Sequence, residues 1–380
     1  MGATIKKNVL LYLGKFPGYG FDIDGGSILA KQLIDTLKNK CYLDVVFIRK
    51  NHEEFSDESV RCVRYVKYKD AFNNKFTRRL ENLDSNLEAI GDYSKYDIII
   101  TAHVSKFFGL QGASDDFWQK TILFPMFCTS SYIRAGEKVP AEYTNHELYV
   151  FQHVGKIICP SIIEKNDIIK DYNISEDKIV VIPRGVAPIF THRTLSLKNT
   201  PPNIICVGSI KRQKNNLDAL KVLALVRKYG IAAELHLVCT IQDNSVYTAM
   251  LGYIKNNNLQ DYVKWHTELS QKQVAELMSK MNINISVSNW ETFGRGIFEG
   301  ISSGLPTFVY SHLIGVQKIC MGCIGVSFCS DAEHMAKDIV KTLSDKKLYA
   351  TKSESLKEIT SKVSYYQEQL CLLNEIIPNK

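Results

Sequence analysis

The chain has 380 residues, 45% of them hydrophobic and 23% charged, with 22 Gly and 10 Pro. At roughly 150 residues per domain this length holds two or three domains with real cores, and the composition excludes a disordered, collagen-like or low-complexity chain. Lys and Arg number 47 against 40 Asp and Glu, a net charge of +7, which favours anionic ligands weakly and does not point to nucleic acid as a partner.

From the N-terminus, Val9-Leu10-Leu11-Tyr12-Leu13 follows Lys6-Lys7. The run is too short for a signal-peptide core and has no small-residue cleavage site, so it predicts a first strand at 8–13. A glycine-bearing turn comes next, and from Ser27 the residues Ile28, Leu29, Leu33, Ile34 and Leu37 recur at helical spacing. Further strands are predicted at 43–48, 62–68, 97–102, 121–127, 156–159 and 178–182, with a helix at 162–171 ending before Asn173. Pro183-Arg184-Gly185 and the polar stretch from His192 to Pro202 then break the pattern. A second series follows, with strands at 203–208, 233–239, 262–266, 283–288, 305–310 and 323–328. Helices are expected at 215–229, 245–257, 270–281, 296–303 and 331–344, and the tail 347–376 reads as helical. Short β-rich runs alternating with amphipathic helices predict an α/β protein of two doubly wound parallel sheets. The expected domains are 1–186, 187–350 and a C-terminal helix in 351–380 packing across them. Ligands of such sheets bind outside the carboxyl ends of the strands, so the chemistry is expected in a central cleft. No run approaches 18 apolar residues, so no membrane span is expected.

The ten cysteines lie mostly in apolar runs such as Ile157-Ile158-Cys159 and Ile205-Cys206-Val207. They read as small buried hydrophobes in a reducing, cytoplasmic setting. Cys320-x2-Cys323 with Cys329 hints at zinc, but no fourth ligand stands at finger-like spacing and His312 lies upstream, so no metal site is expected.

The segment Ser288-Asn289-Trp290-Glu291-Thr292-Phe293-Gly294-Arg295-Gly296-Ile297-Phe298-Glu299 follows a predicted strand and opens a predicted helix. Glu291 falls on the loop and Glu299 one to two turns into the helix. The amides of Gly294, Arg295 and Gly296 stand at the helix N-terminus, where orphan N–H groups and the dipole favour a phosphate. A solvated pair of acids around a helix start is the plainer alternative.

Glu291-x7-Glu299 with Gly304-Leu305-Pro306 resembles the signature of retaining glycosyltransferases of the GT-B fold, glycosyltransferase family four. Three more stretches fit that family in order: Gly25-Gly26 before the first helix, Val181-Ile182-Pro183-Arg184-Gly185-Val186 as the inter-domain motif, and Val207-Gly208-Ser209-Ile210-Lys211-Arg212-Gln213-Lys214-Asn215 as the loop bearing a phosphate-binding lysine. The resemblance implies two Rossmann-like domains, an N-terminal acceptor domain and a C-terminal donor domain. It implies a sugar donor linked to a nucleoside diphosphate, UDP or GDP, with no cofactor and no catalytic metal. The acceptor would be a glycan, a lipid-linked saccharide or a small molecule.

By the same resemblance Lys214 meets the departing diphosphate, Glu299 accepts hydrogen bonds from the ribose hydroxyls, and Glu291 holds the donor sugar near its C3 hydroxyl. A compact cation suits a site of growing negative charge, and a carboxylate suits vicinal hydroxyls. Phe293, Gly294 and Arg295 join the donor-binding set, and Gly25 and Gly26 allow close backbone approach, with Ser27 as a helix cap. Ser209 stands where the family usually carries an arginine; Arg212, Lys211 and Arg295 are the candidate substitutes. The histidine common near Pro125 or Met126 is absent. His103, closing a predicted strand, matches another family histidine, and a core-satisfied imidazole is the alternative. Asp22-Ile23-Asp24 resembles a metal-binding motif and reads as loop acids.

Arg61, Arg64, Lys67, Lys69, Lys75, Arg78 and Arg79 crowd one window in which Phe72, Phe76, Leu80 and Leu83 trace a helical stripe. Through 61–80 such a helix would contact an anionic membrane peripherally; a surface helix packing its Phe residues on the sheet is the other account. The function expected is transfer of a sugar with retention. A sugar-nucleotide epimerase or phosphorylase of the same fold, and a catalytically silent sugar-nucleotide-binding protein, are the alternatives.

Overall fold

Runs of Val, Ile and Leu that are apolar on both faces belong in parallel sheets covered on both sides, and the chain builds two of them. The computed structural model describes residues 6–13, 25–49, 57–67, 91–104, 110, 112–134, 136–193, 197 and 201–378. By its contacts the chain divides into two units, Met1–Pro183 with Gln369–Lys380, and Arg184–Glu368.

In the first unit the described elements are β1 (Asn8–Leu13), α1 (Gly25–Leu37), β2 (Tyr42–Arg49), β3 (Cys62–Lys67), β4 (Ile98–Ala102), α2 (Asp115–Gln119), β5 (Thr121–Phe124), α3 (Thr129–Arg134), α4 (Ala141–His153), β6 (Lys156–Cys159), α5 (Ile162–Tyr172) and β7 (Ile179–Val181). The strands pair in parallel in the order β3-β2-β1-β4-β5-β6-β7. Alternation along β1 sends Val9, Leu11 and Leu13 to the core shared with Leu29, Leu33 and Leu37 of α1, and Leu10 and Tyr12 to the opposite core with Trp118 and Phe151.

β5 ends at Phe124, short of the expected 127, because Pro125 has no N–H to donate and Met126 turns to a φ of 71°. α4 escapes the periodicity because its buried face, Tyr143, His146, Glu147, Val150 and Phe151, mixes polar with apolar residues. Glu147 is fully buried and satisfied: its carboxylate accepts from the Thr129 amide at 3.0 Å and from the hydroxyls of Thr129 and Tyr172, capping α3.

The second unit carries β8 (Asn203–Val207), a 3₁₀ turn at Arg212–Lys214, α6 (Asn216–Lys228), β9 (Glu234–Val238), α7 (Asn244–Asn256), a 3₁₀ turn at Gln260–Tyr262, β10 (Val263–His266), α8 (Gln271–Met278), β11 (Ile283–Ser286), α9 (Arg295–Ser302), β12 (Thr307–Tyr310), α10 (Ile314–Ile319), β13 (Val326–Cys329), α11 (Ala332–Ser344) and α12 (Lys346–Lys362). Its strands run parallel in the order β10-β9-β8-β11-β12-β13. Ile204 and Cys206 face one core with Leu220, Leu223 and Ile285, while Ile205 faces the other with Phe298, Ile301 and Val309.

The tail holds two helices rather than one stretch. α12 ends at Lys362, and α13 (Tyr365–Ile376) follows after Ser364 pairs with Val186 as an isolated bridge. The division of units falls after Pro183 and within α13, after Glu368, not at 186 and 350. β13 starts at Val326 rather than 323, because Cys320–Cys323 closes a turn whose Gly322 has a φ of +82°.

α9 approaches β11 through Gly300. A Cβ there would lie 2.2 Å from Nδ2 of Asn284, a buried side chain that donates to the Ile297 carbonyl at 3.2 Å. Gly300→Ala is therefore expected to cost about 3 kcal/mol of stability, read as a lower midpoint in urea unfolding. An unchanged midpoint would show that Asn284 yields freely.

Candidate active site at the ends of β8 and β11

β8 and β11 are neighbours at the point where the strand order reverses, so their carboxyl ends flank the crevice that such sheets offer to ligands. The segment after β8 carries Gly208 and the turn with Lys214; the segment after β11 carries Ser288 to Glu291. Three hydrogen bonds stitch them. Asn289 N donates to the Gln213 carbonyl at 2.9 Å, Gln213 Nε2 to the Trp290 carbonyl at 3.1 Å, and Asn289 Nδ2 to the Arg212 carbonyl at 3.1 Å. That stitching sets Lys214 against Glu291, Nζ donating to Oε1 at 2.6 Å and to Oε2 at 2.8 Å. Ser288 Oγ also donates to Oε1, at 2.7 Å, and His312 Nε2 donates to the Ser288 carbonyl at 2.9 Å.

α9 begins beside this pair. Gly294 at its N-terminus has a φ of +86° and no side-chain cap bond; the Ile297 amide donates to the Gly294 carbonyl at 2.9 Å, which leaves the amides of Arg295 and Gly296 as the uncapped donors of the first turn. A Cβ on Gly296 would meet Val207 Cβ at 2.9 Å, so only glycine lets the helix start rest on the end of β8. One turn on, Glu299 is 6% exposed, and among the described residues no hydrogen bond or ion pair reaches its carboxylate. Burial raises its pKa to about 7, against a smaller opposing pull from Arg295. Arg295 likewise forms no hydrogen bond or ion pair among the described residues; burial draws its pKa down, and Glu299 and Glu368 partly offset that. The ends of β8 and β11 thus collect a lysine, an arginine, a helix N-terminus and a carboxylate with open valence. Together they suit an anion on one side and hydroxyl donors on the other.

The remaining predicted residues are placed as follows. Ser209 Oγ accepts from Thr240 Oγ1 at 3.2 Å. Arg212 is 82% exposed with Asp243 4.0 Å away, so its charge faces solvent. Phe293 is buried and stacked on Phe298 with ring centroids 4.5 Å apart; its ring is core, leaving only its backbone for a ligand. In the first unit His103 closes β4 at a φ of 82°, its Nδ1 3.4 Å from the Tyr143 hydroxyl and its ring edge-on to Phe127. Gly25 and Gly26 lie inside α1 rather than before it, so Ser27 is a first-turn residue and not the cap. Asp22 and Asp24 fall outside the described residues, as do Lys69, Lys75, Arg78 and Arg79 with their apolar stripe. Arg61 and Arg64 belong to the sheet edge: Arg61 holds Asp44 at 2.8 Å and Arg64 the Tyr96 hydroxyl at 3.0 Å.

All ten cysteines are free thiols. Cys323 Sγ donates to the Ser355 carbonyl at 3.5 Å, and the group of candidate ligand atoms among the described residues is Cys329, His334 and Asp338, not the Cys320–Cys323–Cys329 set. Among the described residues no helix is long and apolar enough to cross a membrane.

Sequence reading gave no role to Ser288, Gln213, Asn289 or His312. Ser288 alone left a signal, one polar residue at a strand end three positions before Glu291. Arg184 and Glu368 were also missed; both are buried, 3.3 Å apart, and the Gly185 amide donates to the same carboxylate.

Because Glu299 favours its neutral form in the fold, its stabilising contribution is complete below its ordinary value of 4.5 and is lost as pH rises through about 7. Glu299→Gln is expected to be more stable than the wild type at pH 8, by up to about 3 kcal/mol and with a higher unfolding temperature, and to match it near pH 4.5. Equal melting curves at pH 8 would refute a strained carboxylate.

Two family models match the chain in succession: Glycosyltransferase Family 4 over residues 23–188 and Glycosyl transferases group 1 over residues 190–359. The peptide N-acetylglucosaminyltransferase GtfA subunit of Streptococcus pneumoniae, named for the donor UDP-N-acetylglucosamine, is 26% identical over 245 residues, which are 62% of this chain and 46% of that protein. The match thus spans about half the length of that curated relative. Among solved structures, sucrose-phosphate synthase from Thermosynechococcus elongatus superposes with a TM-score of 0.82 at 15% identity, covering 97% of each chain. WaaG, a glycosyltransferase involved in lipopolysaccharide biosynthesis, gives 0.76 at 13% identity over 98% of this chain and 100% of its own. Anabaena HepE, solved with UDP and glucose, gives 0.76 at 12% identity over 97% and 99%. With both halves matched in order by glycosyltransferase models and with two parallel α/β sheets of the kind these structures share, the chain belongs to the GT-B glycosyltransferases of the family-four, group 1 type.

Proposed function

We propose that the protein is a retaining, metal-independent hexosyltransferase that uses a UDP-linked sugar and passes the sugar to a hydroxyl of a glycan, lipid-linked or small-molecule acceptor. The observation that carries this reading is the convergence of Lys214, the N-terminus of α9 and the unbonded carboxylate of Glu299 at the ends of β8 and β11. HepE has been solved with UDP and with UDP-glucose, which supports a UDP donor here.

On this reading the α9 amides, Lys214 and Arg295 receive the diphosphate, supplying the countercharge that the leaving group needs. Glu299, once ionised, accepts the ribose hydroxyls. Glu291 orients the sugar and stabilises positive charge developing at its anomeric carbon. The bond from that carbon to the diphosphate breaks and the bond to the acceptor oxygen forms on the same face, while a leaving phosphate oxygen takes the acceptor's proton. Acceptor recognition is assigned to the first unit, with His103 as its candidate polar group.

Two measurements test this. Released UDP is followed across a panel of UDP-sugars, and proton NMR of the first-formed product of an α-linked donor is expected to show an α linkage; a β linkage would exclude retention. Lys214→Ala should lower turnover on the order of a hundredfold. Separately, EDTA should leave turnover unchanged; loss restored by manganese would replace the proposed cationic side chains with a metal.

A further inference from the structure

In the reading above Lys214 serves the diphosphate and Glu291 the transferred sugar, yet the fold binds them to each other. The ammonium donates to both carboxylate oxygens, at 2.6 and 2.8 Å, with 20% of the lysine side chain and 9% of the glutamate side chain exposed. A cation engaged in this way is largely neutralised toward an arriving diphosphate. With Oε1 accepting from Lys214 and Ser288 and Oε2 from Lys214, the lysine occupies acceptor sites of Glu291 that a sugar hydroxyl would use.

The two partners are anchored unequally. Lys214 reaches the pair on a flexible four-carbon stem whose ammonium can swing between acceptors. Glu291 has a second hold: Ser288 Oγ donates to Oε1 at 2.7 Å, Ser288 is 3% exposed, and its carbonyl is fixed by His312 Nε2 at 2.9 Å. If the lysine turns away, the carboxylate keeps its place.

We infer that Lys214 and Glu291 are a donor-gated pair: the diphosphate takes Lys214 away from Glu291, and Glu291, still held by Ser288, is released to accept a hydroxyl of the sugar. The inference rests on the nucleotide-sugar reading of the site. It couples recognition of the two halves of the donor, since the acceptor sites that Lys214 occupies on the carboxylate pass to the sugar when the lysine moves to phosphate. It also means that Glu291 competes with the nucleotide for Lys214.

Calorimetric titration of wild type, Glu291→Gln and Lys214→Ala with UDP, GDP and ADP tests the competition, and a crystal structure of the wild type with the nucleotide that binds tests the exchange. Glu291→Gln is expected to bind that nucleotide roughly fivefold more tightly than wild type, the scale of one partly exposed ion pair. Lys214→Ala is expected to bind it more weakly. In the complex, Lys214 Nζ should lie on phosphate oxygens and out of hydrogen-bond reach of Glu291, with the Ser288 bond to Glu291 kept. Equal or weaker binding by Glu291→Gln, or a complex in which Lys214 still holds both oxygens of Glu291, overturns the exchange and leaves the nucleotide reading standing. Failure of all three nucleotides to bind protein that is folded by circular dichroism overturns the nucleotide reading and the exchange with it.

Discussion

Three hydrogen bonds between the loop after β11 and the turn after β8 hold the candidate site in register. Asn289 and Gln213 bind each other's neighbourhood through backbone and side-chain amides, so the two segments behave as one platform. Only on such a platform does a lysine meet both oxygens of a largely buried glutamate, an arrangement whose desolvation cost is offset only by good geometry. Adjacent parallel strands make the platform available, because their carboxyl ends leave the sheet side by side.

The two glutamates of the segment are alike in sequence and opposite in environment. Glu291, on the loop, is bonded by Lys214 and Ser288. Glu299, inside α9, is buried with no such partner among the described residues, and burial raises its pKa to about 7. The difference follows from how closely α9 lies against the sheet. Gly296 lets it touch the end of β8 and Gly300 lets it touch Asn284. The close seating buries Glu299, and the pull from Arg295 only partly opposes the effect of that burial.

Two buried polar groups of the first unit are satisfied instead. Glu147 takes the Thr129 amide and two hydroxyls, and His146 Nε2 meets the Val104 carbonyl at 3.1 Å. Burial lowers the pKa of His146 to about 4, so it stays neutral near pH 7. A satisfied network of this kind stiffens a core.

Much of this was legible in the residues alone. Continuous apolar runs separated by period-3.6 helices located both sheets, since each strand of a doubly covered parallel sheet is apolar along its length. The segment from Glu291 to Glu299 read as a loop followed by a helix, and the structure has α9 start at Arg295, because glycines at a helix start leave a local signature. Local pattern failed where burial was polar, as in α4, and where a proline or a left-handed residue cut a strand short, as at Pro125-Met126. It also failed to mark Phe293 as core, since an aromatic beside a glycine turn serves a core and a ligand equally well. What only the tertiary structure decided were the pairings between segments far apart in the chain: Lys214 on Glu291, Gln213 on Asn289, Gly300 against Asn284. The physical reason is that a side chain's type fixes what it can bond, while its partner is fixed by which strand ends the sheet order brings together.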